Sequence, residues 1–226
     1  MTSVVPALPV SAIPGLLDLA GIAVFALSGA LLAAQLRLTF VTMAFFALVT
    51  GVGGGSVRDL LIGAPVFWIR DPFVAPVCLA VALATWFTLR HWWSDSRAGM
   101  QALDWADAAG LGAYAVIGTA KALAYSVPAV PAVLMGVITG CVGGIIRDVL
   151  AGRPSILMRP ELYVTAAALS ATLCAAATAA GVPAALGWPV AMLAGFALRG
   201  AAIRLKLALP GYGARRLPVH VNRPGE

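Results

Sequence analysis

Two short stretches concentrate the chemically capable residues of this chain: Gly51-Val52-Gly53-Gly54-Gly55-Ser56-Val57-Arg58-Asp59 and Gly140-Cys141-Val142-Gly143-Gly144-Ile145-Ile146-Arg147-Asp148. Each closes a long apolar run with a glycine cluster, an arginine and an aspartate. Ionisable side chains in apolar segments are costly to keep, and they mark ion or proton pathways, counter-ions or clamps at helix ends. Nucleotide chemistry does not fit the glycines. Ser56 stands where a dinucleotide fingerprint requires glycine, and no Gly-Lys-Ser/Thr follows to hold a phosphate. No nucleophile, base and metal-ligand set accompanies them, so the chain reads as a non-enzyme without metal or cofactor.

The elements that carry these motifs follow from composition. The chain has 226 residues, of which 61% are hydrophobic and 11% charged, and its mean hydropathy is +0.95. Those values belong to an integral membrane protein. Apolar segments of about 20 residues recur, each long enough to cross a bilayer as a helix. The runs are continuous rather than alternating, which disfavours a spanning β-barrel. Seven spans are predicted, over residues 16–36, 39–62, 72–92, 103–125, 128–151, 160–180 and 184–205. The net charge of +6 is dispersed among loops and the tail, a topology signal rather than a nucleic-acid footprint. Cys78, Cys141 and Cys174 lie in apolar segments without metal-ligand spacing and read as small core residues. No positive charge precedes the first apolar run, so no cleaved signal peptide is expected.

Subtracting 58 from 147 gives an offset of 89 residues that holds elsewhere without a gap. It pairs Asp18 with Asp107, Gly29 with Gly118, Gly51 with Gly140, Gly54 with Gly143, Gly55 with Gly144, Asp59 with Asp148, Gly63 with Gly152 and Arg70 with Arg159. Chance agreement between apolar segments would favour Ala and Leu, not a series of Gly, Asp and Arg. The chain is therefore expected to be an internal duplication: repeat 1 over 15–92, a cytoplasmic loop over 93–102, repeat 2 over 103–180, a seventh helix over 181–209 and a disordered tail over 210–226. An odd number of spans per repeat inverts the second copy relative to the first, an architecture of transport proteins. Basic residues gather on the side of the C-terminus, which predicts a cytoplasmic tail and an N-terminal segment, 1–14, outside.

With the elements placed, the motif residues acquire expected roles. A glycine in a helix costs about 1 kcal/mol relative to alanine, so Gly53, Gly54 and Gly55 predict a kink or unwinding in span 2, and Gly143 and Gly144 a milder one in span 5. Broken helices in a bilayer line wet cavities, whereas small residues also serve close helix packing; two clusters related by inversion, each followed by Arg-Asp, favour the cavity. Arg58 and Asp59 are neighbours that point in different directions on a helix and are not expected to pair. By depth, Asp18 is assigned to Arg58 and Asp107 to Arg147, one clamp per repeat. The same depth difference keeps Asp59 and Asp148 from acting as a catalytic pair. Lys121 breaks the repeat, since Leu32 stands at its counterpart. It lies roughly 21 Å beyond Asp107 along its helix, where it either snorkels to the interface or faces a pore and repels cations. Thr50 and Thr139 precede each glycine motif and offer hydroxyls to a hydrated ion or to their own backbone.

The paired Gly-Gly-x-x-Arg-Asp endings, the run Gly118-Thr119-Ala120-Lys121-Ala122 and the seventh helix give a pattern that resembles the bacterial branch of the trimeric intracellular cation channels, the TRIC family. The resemblance spans residues 15–205. It implies a homotrimer in the inner membrane with one pore per protomer, lined by the glycine-kinked helices 2 and 5, conducting monovalent cations such as K+ and Na+. It further implies that Lys121 is the helix 4 lysine associated with gating. One departure is Val142, which stands where the first motif has Gly53. Bacterial relatives are also described as glycine transporters, so a secondary carrier for a small zwitterion such as glycine is the alternative reading.

Overall fold

A computed structural model of the chain describes residues 15–89, 97–158 and 161–209. Among these residues the structure is all helical: α1 (Gly15–Gln35), α2 (Phe40–Leu61), α3 (Phe67–Arg70), α4 (Val74–Leu89), α5 (Arg97–Ala124), α6 (Ala129–Leu150), α7 (Val164–Ala179) and α8 (Ala184–Leu205), with a 3-10 turn at Ile156–Met158. Four helices contain stretches long and apolar enough to cross a membrane, Asp18–Gln35, Phe40–Leu61, Ala129–Leu150 and Ala184–Leu205. Helices α4 and α7 are apolar but 16 residues long, and α5 carries Asp104, Asp107 and Lys121 among its apolar residues. The expected segments 1–14 and 210–226 lie outside the described residues.

Local signals set the helix boundaries. The Thr39 hydroxyl caps α2 by accepting the Thr42 N–H at 3.3 Å. Just past the ends of α2 and α6, Gly63 (φ +67°) and Gly152 (φ +63°) terminate the helices in the left-handed conformation that glycine adopts without strain. In each case the aspartate of the motif accepts, through its backbone carbonyl, the N–H five residues on: Ala64 to Asp59 at 2.8 Å and Arg153 to Asp148 at 3.0 Å. Two boundaries depart from expectation. Residues 97–102, assigned above to a loop, form the first turns of α5. Arg97, Ala98, Met100, Gln101 and Ala102 are good helix formers, so the helix runs past the end of the apolar stretch. The loop after α2 contains the extra turn α3.

The predicted breaks at the glycine clusters are absent: α2 and α6 are continuous α-helix through Gly53, Gly54, Gly55, Gly143 and Gly144. Magnitudes explain the outcome. Three glycines cost about 3 kcal/mol in propensity, whereas each backbone polar group left unsatisfied in lipid costs several kcal/mol on its own. The glycines act instead as the contact surface between the two helices. A Cβ on Gly54 would collide with the Thr139 carbonyl, and one on Gly143 would stand 2.7 Å from the Thr50 carbonyl oxygen.

These contacts are reciprocal. The offset of 89 converts Gly54 against Thr139 into Gly143 against Thr50. Helices α1 and α5 repeat the rule: a Cβ on Gly21 would run into the Tyr114 ring, and one on Gly110 would lie 3.0 Å from the Phe25 ring. Phe25 and Tyr114 are themselves counterparts and meet edge to face, with centroids 5.0 Å apart. In both helix pairs the partner residue number falls as the other rises, so α1 passes α5, and α2 passes α6, in antiparallel register. Two apolar cores pack around these helices, one built on Ile22, Phe25, Phe46, Val74 and Cys78 with Tyr114 of α5, the other on Leu111, Cys141, Ile156 and Tyr163.

Candidate functional site: two buried charge clusters

Each glycine helix ends in a charge cluster built to the same plan. At the end of α2, Arg58 Nε donates to Asp59 Oδ1 at 2.8 Å, and the Phe67 N–H donates to Asp59 Oδ2 at 3.0 Å. At the end of α6, Arg147 Nε donates to Asp148 Oδ1 at 2.9 Å, and the Ile156 N–H donates to Asp148 Oδ2 at 3.1 Å. Adding 89 to 67 gives 156, so the duplication extends to the staple that folds the following loop back onto the helix. All four charged residues are buried.

The expectation that Arg58 and Asp59 do not pair is thereby corrected, and the same holds for Arg147 and Asp148. Adjacent Cβ vectors diverge, but the arginine stem is long enough to curl along the helix end and bring Nε to the neighbouring carboxylate. Burial makes an unpaired charge costlier than that restricted rotamer. The proposed clamps divide. Arg147 Nη1 reaches Asp107 Oδ1 at 2.7 Å, as expected, and also donates to the Ser28 hydroxyl. Arg58 is instead held by Asp59; among the described residues no ion pair joins it to Asp18, which stays within electrostatic reach of Arg58 and Lys121.

Lys121 neither snorkels nor stands free. Its ammonium lies 2.8 Å from Asp59 Oδ1 and 3.0 Å from Oδ2, and 5.7 Å from the centroid of the Phe67 ring. The same ring lies 5.8 Å from the Arg58 guanidinium carbon. The distance of Lys121 from Asp107 along α5 points to Asp59 only when it is combined with the depth at which α2 ends. Thr50 and Thr139 are both buried. Thr139 bonds back to the Met135 carbonyl, while the Thr50 hydroxyl has no hydrogen-bond partner among the described residues.

Two further groups escaped the sequence. Trp68 Nε1 donates to Ser56 Oγ at 2.9 Å, tying α3 to α2. Arg199 of α8, 1% exposed, pairs with Glu161 at 2.7 Å and lies 5.4 Å from the Tyr163 centroid. Helix α8 has no repeat counterpart, so the offset could not suggest a partner for it. No group of three or more His, Cys, Asp or Glu among the described residues is arranged to hold a metal ion.

Apolar helices of spanning length, with charges buried and mutually paired at their ends, define a multi-pass membrane protein. Comparison with known proteins places it further. A family model described as "Glycine transporter" matches the chain twice, over residues 15–90 and 104–179, two stretches separated by the same offset of 89. A UPF0126 membrane protein of Vibrio cholerae is 39% identical over 198 residues, covering 87% of this chain and 82% of the relative. The UPF0126 inner membrane protein YadS of Escherichia coli K12 is 38% identical, covering 87% and 94%. Among solved structures, a TRIC trimeric intracellular cation channel orthologue from Rhodobacter sphaeroides superposes with a TM-score of 0.80 at 38% identity, covering 85% of this chain and 97% of that one. A prokaryotic TRIC channel crystallised in 0.5 M KCl gives 0.79 at 26% identity, covering 86% and 98%. The chain belongs to this family, as a bacterial member of the TRIC group.

Proposed function

We propose that the protein is a cation channel permeable to K+ and Na+, working as a homotrimer with one pathway per protomer along α2 and α6. The observation that carries this reading is the likeness in fold and sequence to structures of TRIC cation channels, over nearly their full length. Seven spans, an external N-terminus and a cytoplasmic C-terminus complete the proposed topology. The antiparallel, reciprocal contacts between α1 and α5 and between α2 and α6 support an inverted pair of three-span repeats.

The geometry also suggests what opening requires. Backbones touch where Gly54 meets Thr139 and Gly143 meets Thr50, so the seam between α2 and α6 is shut at that level. Conduction calls for the helices to part there, which turns the Thr50 and Thr139 carbonyls toward the ions, while their hydroxyls lie against Gly29 and Gly118. Lys121, held by Asp59, is the gating candidate, and Lys121→Ala is expected to change open probability or conductance.

Purified protein in a planar bilayer tests the reading: discrete K+ and Na+ current steps are expected. The family model's description favours a second reading, a carrier for glycine. Saturable glycine uptake into proteoliposomes, with no current under any voltage, would replace the channel by the carrier.

A further inference from the structure

The cluster at the end of α6 shows this site plan complete. Arg147 Nη1 donates to Asp107 Oδ1 at 2.7 Å and to the Ser28 hydroxyl, and the Tyr163 hydroxyl hydrogen-bonds the same Asp107 carboxylate. The three groups meet at the open face of Gly144, where an added Cβ would stand 2.9 Å from Tyr163 Oη, 3.2 Å from Asp107 Oδ1 and 3.7 Å from Arg147 Nη2.

The cluster at the end of α2 is incomplete. Arg58 is 1% exposed, yet its Nη1 has no hydrogen-bond partner among the described residues. The offset of 89 names Asp18 as the missing acceptor, and it carries Ser28 to Ile117, whose side chain cannot accept. The Tyr114 hydroxyl is likewise buried and without a partner. Its ring lies against Gly21, one turn along α1 from Asp18, and Asp18 is within electrostatic reach of Tyr114, Arg58 and Lys121. Buried polar groups are seldom left unpaired. One carboxylate brought in from α1 would satisfy both the guanidinium on α2 and the phenol on α5.

What keeps that carboxylate away is visible at Gly55, the counterpart of Gly144. There the Phe67 ring takes the place that Asp107 and Tyr163 take at the other end, with Cε1 2.6 Å from an added Cβ. The ring is held between two cations, Lys121 Nζ at 5.7 Å and Arg58 Cζ at 5.8 Å from its centroid, distances at which a cation is attracted to an aromatic face. The lysine, which holds Asp59 at 2.8 Å, is thus also one of the two groups that keep the ring in place.

We propose that Asp18 is a second counter-ion for Arg58, excluded by the Phe67 ring while Lys121 holds Asp59, and that it closes onto Arg58 Nη1 and the Tyr114 hydroxyl when the lysine withdraws. Arg58 then exchanges an aromatic neighbour for a carboxylate, and the cluster reaches the arrangement that Asp107, Arg147 and Asp148 already have. The inference rests on the channel reading for its role, since it takes withdrawal of Lys121 as the gating step. The exchange gives the open state a bond of its own between α1 and α2.

Thermal unfolding of the purified protein tests the exchange through Asp18→Asn, which removes the charge and keeps the shape. The drop in unfolding temperature is expected to be several-fold larger in Lys121→Leu than in wild type. Electrostatics without the exchange predicts the reverse, because Lys121 attracts Asp18 and its loss makes the carboxylate less favourable. An equal or smaller drop in Lys121→Leu therefore overturns the proposal. If Lys121→Leu does not fold, Phe67→Leu, which clears the Gly55 face and keeps the lysine, takes its place with the same expected and overturning results. Tyr114→Phe should carry a penalty in Lys121→Leu that disappears once Asp18 is also replaced by Asn, a non-additivity that a tyrosine acting only by packing does not produce; additive losses overturn the proposal. In planar bilayers Asp18→Asn is expected to shorten openings of the channel at unchanged conductance. Non-additivity without any current sinks the channel and leaves the exchange, whereas current with additive losses sinks the exchange and leaves the channel.

Discussion

Asp59 compensates two cations at once, the buried guanidinium of Arg58 and the partly buried ammonium of Lys121. Removing one partner of a buried ion pair costs about 3–5 kcal/mol, because the other charge is left without compensation. Asp59→Ala should therefore lower unfolding stability by at least that amount. Lys121→Met leaves the Arg58–Asp59 pair intact and should cost clearly less. Chemical denaturation in detergent, followed by tryptophan fluorescence, checks the order; equal losses would mean that the lysine and not the aspartate organises the cluster.

Along the elements, the seam between α2 and α6 determines what glycine substitution does. Gly54→Ala would push a methyl group into the Thr139 carbonyl, so backbone has to move. Overpacking of this kind costs typically 1–3 kcal/mol. Gly63→Ala meets no neighbouring atom but is held at φ +67°, where the left-handed conformation costs about 1–2 kcal/mol. The two variants should lose similar stability, yet only Gly54→Ala should alter flux, because only it separates the helices. Proteoliposome K+ flux checks the contrast. These elements also show where the sequence was legible. Helix positions followed from apolar run length, and the duplication from exact recurrence of Gly, Asp and Arg, since each depends only on residue order along the chain. The glycine clusters misled because propensity is a local quantity, whereas the fate of a glycine in lipid depends on the helix that fills the space beside it. The Arg58–Asp59 pair misled for a related reason: Cβ direction was read correctly, but side-chain reach was not. Lys121 with Asp59, and Arg199 with Glu161, join residues far apart in the chain, which no spacing rule supplies.

At the scale of the whole molecule, the proposed topology has its own test. Cys78, Cys141 and Cys174 are 1%, 4% and 0% exposed, so native thiols give little background to a membrane-impermeant reagent. Cysteine introduced at Ser3 should label from outside intact cells, and cysteine introduced at Val221 only after permeabilisation. Labelling of both from one side would reverse the odd-span reading. Crosslinking in lipid should stop at trimers; monomers alone would remove the oligomeric part of the proposal. The encounter of Phe25 with Tyr114, each the counterpart of the other, carries a historical consequence. On the inverted-repeat reading proposed above, the two halves relate as subunits of a dimer do, and a dimer of identical chains must bear any lysine twice or not at all. Joining the halves in one polypeptide lifts that restriction. It lets Lys121 stand in one half with Leu32 at the matching place in the other, and so gives the proposed pair of inverted repeats a direction.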